Sequence, residues 1–404
     1  MSPPLLETYL CLSYVCNMHC RAQYCHLQEL QDVAVRSMPR PTAIKGVDFF
    51  VNAMKVSGTP KGSLFLFGGE TLLQYGLVRD ILMHLVKSYT HLVEEKRITV
   101  NIVTNGLLLD LEKFIELTSL NLKYKCRDFV RIAVSYDGDP LAQNINRRDS
   151  CSVEHNLNNI KQYYSGLPER EKEFRRLYLL WTLTPAGASL LTKGFQHLFE
   201  IIEINKFVHS LTIKLAYCID WPSSVCVRIR KEVRTALRYM YHNNLYSSNL
   251  IIKPPFNFSR HIKTWRELYL DPCQDPERLT CVNPLFNILP DGEIVRCNVT
   301  FIHDIFKNYR PLSAGNVNSL KQSPEAIRGV FQKMKKLFHM TLLEASTFLK
   351  NREASFRFKK SFLIESNKVC LFRYSSPRYL KNYYHAQRAF LEEITKCNNA
   401  LKVS

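Results

Sequence analysis

The first 220 residues alternate short runs rich in β-branched and aromatic residues with stretches whose apolar residues recur three or four positions apart. Strands that alternate with helices form βαβ units, which build a parallel sheet or barrel with functional residues on the loops after the strands. The chain is therefore predicted to have an α/β fold with its site at the strand ends. The predicted strands are Thr8–Ser13, Ser63–Phe67, Ile98–Val103, Phe129–Ser135, Leu177–Leu183 and Leu211–Tyr217.

The length of 404 residues suits one large or two medium domains. We expect the barrel over residues 1–253, with a helix over Tyr217–Leu250 and a boundary at Pro254 and Pro255. A smaller hairpin domain is expected over 254–320. A basic helical region follows over 321–404, with a helix at Tyr383–Ile394.

The formal net charge is +19, and residues 321–404 hold 17 Lys and Arg against 6 Asp and Glu. Such an excess indicates either a solvated helical face or a docking surface for an acidic partner, nucleic acid included. No uninterrupted apolar run approaches the roughly 20 residues that span a membrane. The thirteen cysteines follow no secretory leader, which favours the cytoplasm, where clustered thiols more often hold metal than each other.

Three of these cysteines, Cys16, Cys20 and Cys25, lie within ten residues on the loop that leaves the first strand. Three thiolates on a four-iron cluster leave one iron open, as a catalytic site requires. The same thiols also fit a zinc site with mixed ligands, or buried thiols used as small apolar side chains. Zinc would be completed by His19, His26 or Cys11.

Four further motifs follow successive strands: FGGETLL at 67–73, TNG at 104–106, SYDG at 135–138 with Arg147 behind it, and TLTP at 182–185. Together with the cysteine loop they resemble, in order, the motifs of the radical S-adenosylmethionine (radical SAM) superfamily, in the branch with a C-terminal SPASM or twitch extension. The cysteine loop reads CxxxCxxxxC and so has two residues more than that family's CxxxCxxC. Thr71, Gln143 and Leu180 stand where the family usually has proline, histidine and arginine.

The resemblance implies a partial (β/α)6 barrel, then a smaller α+β SPASM/twitch-like domain with C-terminal helices. It implies a [4Fe–4S] cluster on Cys16, Cys20 and Cys25 and bound S-adenosylmethionine, which is cleaved reductively to a 5′-deoxyadenosyl radical that takes hydrogen from a substrate. By the same resemblance, Glu70 accepts from the methionine amino group. The implied cofactor-binding residues are Gly68, Gly69, Glu70, Thr104, Asn105, Ser135, Asp137 and Arg147.

Gly68 and Gly69 are expected to let the backbone approach a ligand, because they lack a side chain. Ser135, Asp137 and Arg147 are expected to hold the ribose and carboxylate region of the ligand or to shape the loop around it. A plain turn explains Asp137 and Gly138 equally well.

A second cysteine set begins at Cys273 and continues with Cys281 and Cys297, which flank a predicted hairpin turn, PDGE at 290–293. The pattern, with GNV at 315–317, resembles the opening of SPASM domains, but the dense cysteine run that usually follows is missing. The resemblance therefore implies at most one auxiliary [4Fe–4S] cluster, with Cys370 as fourth ligand. A zinc site and a hairpin without metal are the alternatives.

Four other cysteines, Cys126, Cys151, Cys218 and Cys226, have no neighbour at ligand spacing and are predicted to pack as small apolar residues. The indoles of Trp181 and Trp221 are expected either to line a substrate cavity or to lie in the core. Asn298 stands where sulfatase-maturating relatives carry an aspartate, so oxidation of a serine or cysteine is not expected.

The predicted function is radical modification of a peptide or protein side chain, with radical oxidation of a small molecule as an alternative. A diverged iron–sulfur or zinc protein that binds nucleic acid through its basic C-terminal region is another. An acidic peptide and a reductase, ferredoxin or flavodoxin are the expected partners, and no membrane is involved. No leader-binding domain is expected before the barrel, so either the C-terminal domain or a separate protein would recognise the peptide.

Overall fold

The computed structural model describes residues 5–18, 20, 37–216, 222–243, 251–253, 285–295 and 313–339. Within these residues no helix is long and apolar enough to cross a membrane. The predicted boundary at Pro254 and the helix at Tyr383–Ile394 lie outside the described residues, so the division into three regions stays a prediction.

The core is one sheet in which the six predicted strands are all present. They pair in parallel and in chain order from β1 to β6, which confirms the predicted α/β architecture. The strands are β1 (Leu5–Ser13), β2 (Lys61–Gly68), β3 (Ile98–Thr104), β4 (Val130–Ser135), β5 (Leu177–Leu183) and β6 (Val208–Leu215).

Helices connect these strands and cover one face of the sheet. The first helix ends at Gly58, whose φ of 64° is the left-handed conformation that glycine adopts at little cost. The fourth begins at Asp110, whose carboxylate accepts from the Lys113 amide at 2.8 Å. The helices are α1 (Arg40–Ser57), α2 (Tyr75–Ser88), α3 (Thr90–Glu94), α4 (Leu111–Lys123), α5 (Pro140–Asn146), α6 (Ser150–Ser165), α7 (Glu169–Lys172), α8 (Leu191–Gln196), α9 (Ser223–His242) and α10 (Pro324–His339).

Four short strands extend the sheet at both edges. β7 (Ile251–Lys253) pairs with β6, and β8 (Leu285–Ile288) runs parallel to β1 at the opposite edge. β8 and β9 (Glu293–Val295) form the predicted antiparallel hairpin, to which β10 (Ser313–Asn316) adds. The C-terminal hairpin is therefore part of the same ten-stranded sheet as the barrel strands.

The two faces of the sheet differ sharply in burial. On the helix-covered face, strand residues such as Leu10, Leu64 and Val100 are fully buried, and a side chain at Gly62 would overlap Phe50 of α1. The alternate residues form what we call the open face, and most of them remain partly accessible. The open face carries Tyr9, Phe65, Asn101, Val103, Ser135, Thr182 and Lys214.

Candidate functional site

Glu70 lies directly after β2 and joins that strand to β3. Its Oε1 accepts from the Leu72 amide at 2.8 Å and from the Thr104 hydroxyl at 2.6 Å, and its Oε2 accepts from the Asn105 amide at 2.7 Å. The side chain is fully buried, and this burial raises the pKa of its carboxyl. The predicted motif residues Glu70, Thr104 and Asn105 thus form one hydrogen-bonded unit.

The two glycines before Glu70 lie against the backbone that leads into the cysteine loop. A side chain at Gly68, whose φ is 150°, would overlap the Ser13 carbonyl, and one at Gly69 would overlap the Val15 carbonyl. The Gly69 amide donates to Ser13 at 2.6 Å, and the Glu70 amide donates to Val15 at 2.9 Å. The close approach that requires glycine is therefore to the chain's own backbone, whereas an approach to a ligand stays a prediction.

Cys16 lies at the end of this hydrogen-bonded segment, beside Asn105 of the TNG motif. The Asn105 side-chain amide is 3.7 Å from the Cys16 Sγ and donates to the Asn17 side chain at 2.8 Å. The Met18 backbone amide is 3.4 Å from the same sulfur. Cys16 is half-buried and Cys20 is buried, and neither forms a disulfide. Two N–H groups directed at a free thiol suit a sulfur that carries negative charge.

The third predicted cluster ligand, Cys25, lies outside the described residues, as do His19 and His26 of the zinc alternative. Among the residues that the structure does describe, no group of three Cys, His, Asp or Glu side chains is positioned to hold a metal. Cys11 is buried on β1, where its Sγ donates to the Ser13 carbonyl, and burial raises the pKa of its thiol. This environment favours a neutral thiol, whereas a zinc ligand is a thiolate, so it argues against Cys11 as the residue that completes a zinc site.

Asp137 and Arg147 form a second buried unit at the ends of β4 and β5. The Arg147 Nε donates to Asp137 Oδ2 at 3.0 Å, and the Thr182 amide donates to Asp137 Oδ1 at 2.9 Å. Asn146 also donates to Asp137, at 3.1 Å. This geometry supports the loop-shaping role expected for Asp137 and Arg147, and contact with a ligand stays a prediction.

Gln143, which replaces the family's usual histidine, supports the same loop from α5. Its Oε1 accepts from the Asp137 backbone amide at 2.9 Å. Its Nε2 is buried and has no hydrogen-bond partner within the described part of the chain.

Ser135 ends β4 on the open face, which also carries residues that the sequence reasoning did not select. Tyr9, Phe65 and Asn101 occupy paired positions on three neighbouring strands, and the first two rings stack at 4.4 Å between centroids. Asn101 is buried, and its Nδ2 has no partner among the described residues. The period-two alternation of β3 was the available signal, because it places Asn101 on the same face as Val103.

Trp181 is a core residue and not a cavity wall. Its side chain is 1% exposed and lies on the helix-covered face. A side chain at either Gly138 or Gly194 would overlap its indole ring, and Phe195 packs beside it. The absence of a Cβ at these two glycines is therefore what makes room for the indole. Trp221 lies outside the described residues.

Of the cysteines predicted to pack in the core, Cys126 is buried, which confirms the prediction. Cys151 is exposed, so that prediction is wrong. α6 buries a stripe that includes Val153, Leu157 and Ile160, and Cys151 lies off this stripe near the start of the helix. The side chains of Cys218 and Cys226 fall outside the described set.

The hairpin that was expected to carry auxiliary cysteines is present. The Asn316 side chain donates to the Asp291 carbonyl and to the Glu293 carboxylate, both at 3.1 Å, so the GNV motif stabilises the turn. The Thr42 hydroxyl of α1 donates to Asn318 at 3.0 Å and ties this segment to the barrel. The auxiliary ligand set stays a prediction, because none of its members is described. These are Cys273, Cys281, Cys297 and Cys370.

No family model matches the chain, and no curated protein matches it. Solved structures do match. A structure of anSMEcpe with bound AdoMet, a radical SAM enzyme, superposes with a TM-score of 0.59 at 18% identity, covering 98% of this chain and 96% of that one. A second anSMEcpe structure, with AdoMet and the Cp18Cys peptide, gives 0.59 at 17% identity, over 98% and 100% of the two chains.

SuiB from Streptococcus suis, bound to S-adenosylmethionine, matches with a TM-score of 0.47 at 14% identity, over 92% of this chain and 72% of that one. The anSMEcpe likeness extends over nearly the whole length of both chains. It therefore confirms the predicted fold, an α/β barrel-like sheet with a smaller C-terminal region, which this chain shares with anSMEcpe.

Proposed function

We propose that this protein is a radical SAM enzyme that abstracts hydrogen from a peptide or protein side chain. The observation that carries the proposal is the contact between the TNG motif and the first cysteine. Asn105 is joined to Glu70 through its backbone amide and approaches the Cys16 sulfur through its side chain. Three sequence-distant motifs therefore meet at one place, at the carboxyl ends of neighbouring parallel strands, where α/β sheets bind their ligands.

The residues fit the implied cofactors. Cys16, which has two N–H donors beside its sulfur, and Cys20 are outside any disulfide and, with Cys25, would hold a [4Fe–4S] cluster. When bound, that cluster and S-adenosylmethionine supply radical hydrogen-atom abstraction. The chain's own part is to hold the three thiolates, to orient the ligand and to limit access of water.

Each strand-end residue has a defined task in this proposal. Glu70 accepts three protein hydrogen bonds, and a carboxylate has about four lone-pair sites, so one remains for a ligand ammonium. Ser135 would donate to the bound nucleoside from the open face. Asp137 and Arg147 hold the β4–β5 loop rigid through their 3.0 Å ion pair.

We place the peptide on the open face. This face joins aromatic surface at Tyr9 and Phe65 to a buried amide at Asn101 that has a donor to spare within the described residues. Apolar walls with a few directed polar groups are typical of binding sites. The anSMEcpe structure with the Cp18Cys peptide is consistent with a peptide substrate.

The proposal extends to the C-terminal cysteines and to the source of electrons. Cys273, Cys281, Cys297 and Cys370 would hold one auxiliary cluster, and a reductase, ferredoxin or flavodoxin would supply electrons. With Asn298 in place of an aspartate, we do not propose oxidation of a serine or cysteine.

Anaerobic reconstitution with iron and sulfide, followed by dithionite and S-adenosylmethionine, tests this function. We expect about four irons per chain, or about eight with an auxiliary cluster, and formation of 5′-deoxyadenosine. Cys16→Ala and Cys20→Ala should abolish that product. Cys151→Ala, a free and exposed cysteine on α6, is the matched control and should leave it unchanged.

Full activity in the Cys20→Ala variant would refute the assignment of the site. Deuterium transfer into 5′-deoxyadenosine then separates the substrate classes. Transfer from deuterated small metabolites, with none from a deuterated peptide pool, would overturn the peptide proposal in favour of small-molecule oxidation.

A further inference from the structure

Helix α9 carries an exposed face that is strongly basic. Its twenty residues include five cations and one carboxylate, and all five cations are exposed. The opposite side is the packed one, where Ile229, Val233 and Ala236 are at most 2% exposed. The cations are Arg228, Arg230, Lys231, Arg234 and Arg238, which together we call the α9 basic face.

The carboxylate of α9 does not lie on this face. Glu232 is half-buried and accepts from the Thr192 hydroxyl of α8 at 2.7 Å, so it serves the packing of the two helices. Arg228, Lys231 and Arg238 have no ion pair within the described parts of the chain. Among the residues that the structure describes, no carboxylate pairs with these three exposed cations.

Some surface cations of other helices form ion pairs across helix boundaries. Arg40 of α1 contacts Asp80 of α2 at 2.6 Å, and Arg79 of α2 contacts Glu116 of α4 at 2.7 Å. The α9 basic face differs from these helices in the density of its charge, with five exposed cations between residues 228 and 238.

This arrangement works against the stability of the helix. Like charges three or four positions apart on a helix repel each other. Arg228 and Lys231, which have no ion pair within the described parts of the chain, form such a pair. A negatively charged partner that sits on the face would relieve this repulsion.

We propose that the α9 basic face is a docking surface for an acidic segment of the peptide substrate, outside the reaction site. The inference rests on the proposed function for the choice of a peptide. In an extended chain, side chains on one side repeat at about 6.6–6.8 Å, close to the roughly 5–6 Å between helix positions three or four apart. Carboxylates on alternate residues would therefore meet successive cations.

The composition of the face fits this partner. Four of its five cations are arginines, whose planar guanidinium groups bind carboxylates through two hydrogen bonds. Among the described side chains of α9, no aromatic ring is exposed for nucleobases to stack on: Tyr239 is half-buried and donates to Glu200 at 2.7 Å. Nucleic acid therefore fits less well than an acidic peptide.

Fluorescence anisotropy on the full chain, with a fluorescein-labelled peptide of alternating Glu and Ser, tests the proposal. Neither cluster nor S-adenosylmethionine is needed, so failure of the proposed function and failure of docking are distinguishable. We expect K231E/R238E to weaken binding by about tenfold or more, with a steep salt dependence in the parent. K61E/K87E removes two exposed lysines elsewhere and should bind as the parent does.

A thermal melt confirms that the α9 variant is folded, and removal of like charges should not lower its midpoint. The proposal is overturned if the peptide fails to bind the parent protein, or if both double variants bind as the parent does. Loss of binding in K333E/K335E/K336E alone would place the docking surface in the C-terminal basic region. Tighter binding of a DNA duplex, lost with the α9 variant, would make nucleic acid the partner.

Discussion

The side-chain amide of Asn105 lies 3.7 Å from the sulfur of Cys16, while its backbone amide donates to Glu70. One residue therefore links the predicted cluster ligand to the buried carboxylate of another motif. A donor to a ligating sulfur stabilises the more negative state of an iron–sulfur cluster.

Asn105→Ala removes this donor and should make the cluster harder to reduce. A hydrogen bond to a charged group contributes about 1.5 kcal/mol, which for a one-electron couple is a shift of roughly 60 mV toward negative potential. A redox titration followed by electron paramagnetic resonance of the reconstituted protein measures it. An unchanged potential would show that the contact does not act on the cluster.

Gly69→Ala should destabilise the fold, because the new methyl group would overlap the Val15 carbonyl. We expect a loss of about 3 kcal/mol in the free energy of unfolding, at the upper end of overpacking effects. Gly76→Ala is the control, since no atom lies within 4 Å of the position that its new methyl group would take at the start of α2. Denaturant unfolding compares the two, and equal stabilities would contradict the close packing of Gly69 on the segment that follows β1.

Asp137→Ala should lower the free energy of unfolding far more than the loss of a surface ion pair does. It leaves the Arg147 guanidinium, whose side chain is 11% exposed, without its buried partner, and such losses amount to about 3–5 kcal/mol. Asp80→Ala breaks the Arg40–Asp80 pair, where both side chains are at least 40% exposed, and should cost at most about 1 kcal/mol. Chemical denaturation gives both values; similar losses would show that the Asp137 pair is not structurally important.

Asp128 should contribute stability that depends on pH. Its carboxyl is partly buried, but hydrogen bonds from Arg131 and Tyr178 and the Arg131 charge lower its pKa to about 2. A depressed pKa stabilises the fold above the unfolded value of 3.8 and loses that contribution as the pH falls toward 2. Because the side chain is 42% exposed, we expect about 1 kcal/mol between the parent and Asp128→Asn at pH 6.

The difference between the parent and Asp128→Asn should shrink steadily below pH 4, as measured by denaturant unfolding at several pH values. Glu70 gives the opposite sign, because burial raises its pKa. The parent should therefore lose stability relative to Glu70→Gln as the pH rises from the unfolded value of 4.5. If the stability differences for Asp128→Asn and Glu70→Gln changed with pH in the same direction, the opposite pKa shifts of Asp128 and Glu70 would be contradicted.

The parallel sheet could be predicted because its signal is local. Each strand is a short β-branched run, and the observed strands differ from the predicted ones by a few terminal residues, as in β2 (Lys61–Gly68) against Ser63–Phe67. The motif residues also fall at strand ends, since a parallel sheet brings all these ends to one edge.

Other features depend on contacts between residues far apart in sequence and give no local signal. Trp181 is buried because Gly138 and Gly194 leave room for its indole. The sequence around either glycine does not include Trp181 and so cannot indicate this contact. The packing of Gly68 and Gly69 against Ser13 and Val15 likewise joins residues more than 50 positions apart, so the local sequence does not indicate it. The exposure of Cys151 could have been predicted from the sequence, because the buried residues of α6 recur at helical spacing and Cys151 does not fall among them.

The pairing of β8 with β1 has a consequence for how the chain can be divided. Glu7 to Leu10 lie opposite Leu285 to Ile288, so β1 has a neighbour on each side. Removal of the C-terminal region would turn β1 into an unprotected edge strand with free amides and carbonyls, which invites pairing with other molecules. A fragment that ends at residue 253 is therefore expected to aggregate. The C-terminal hairpin protects the edge of the parallel sheet, whether or not its cysteines bind a cluster.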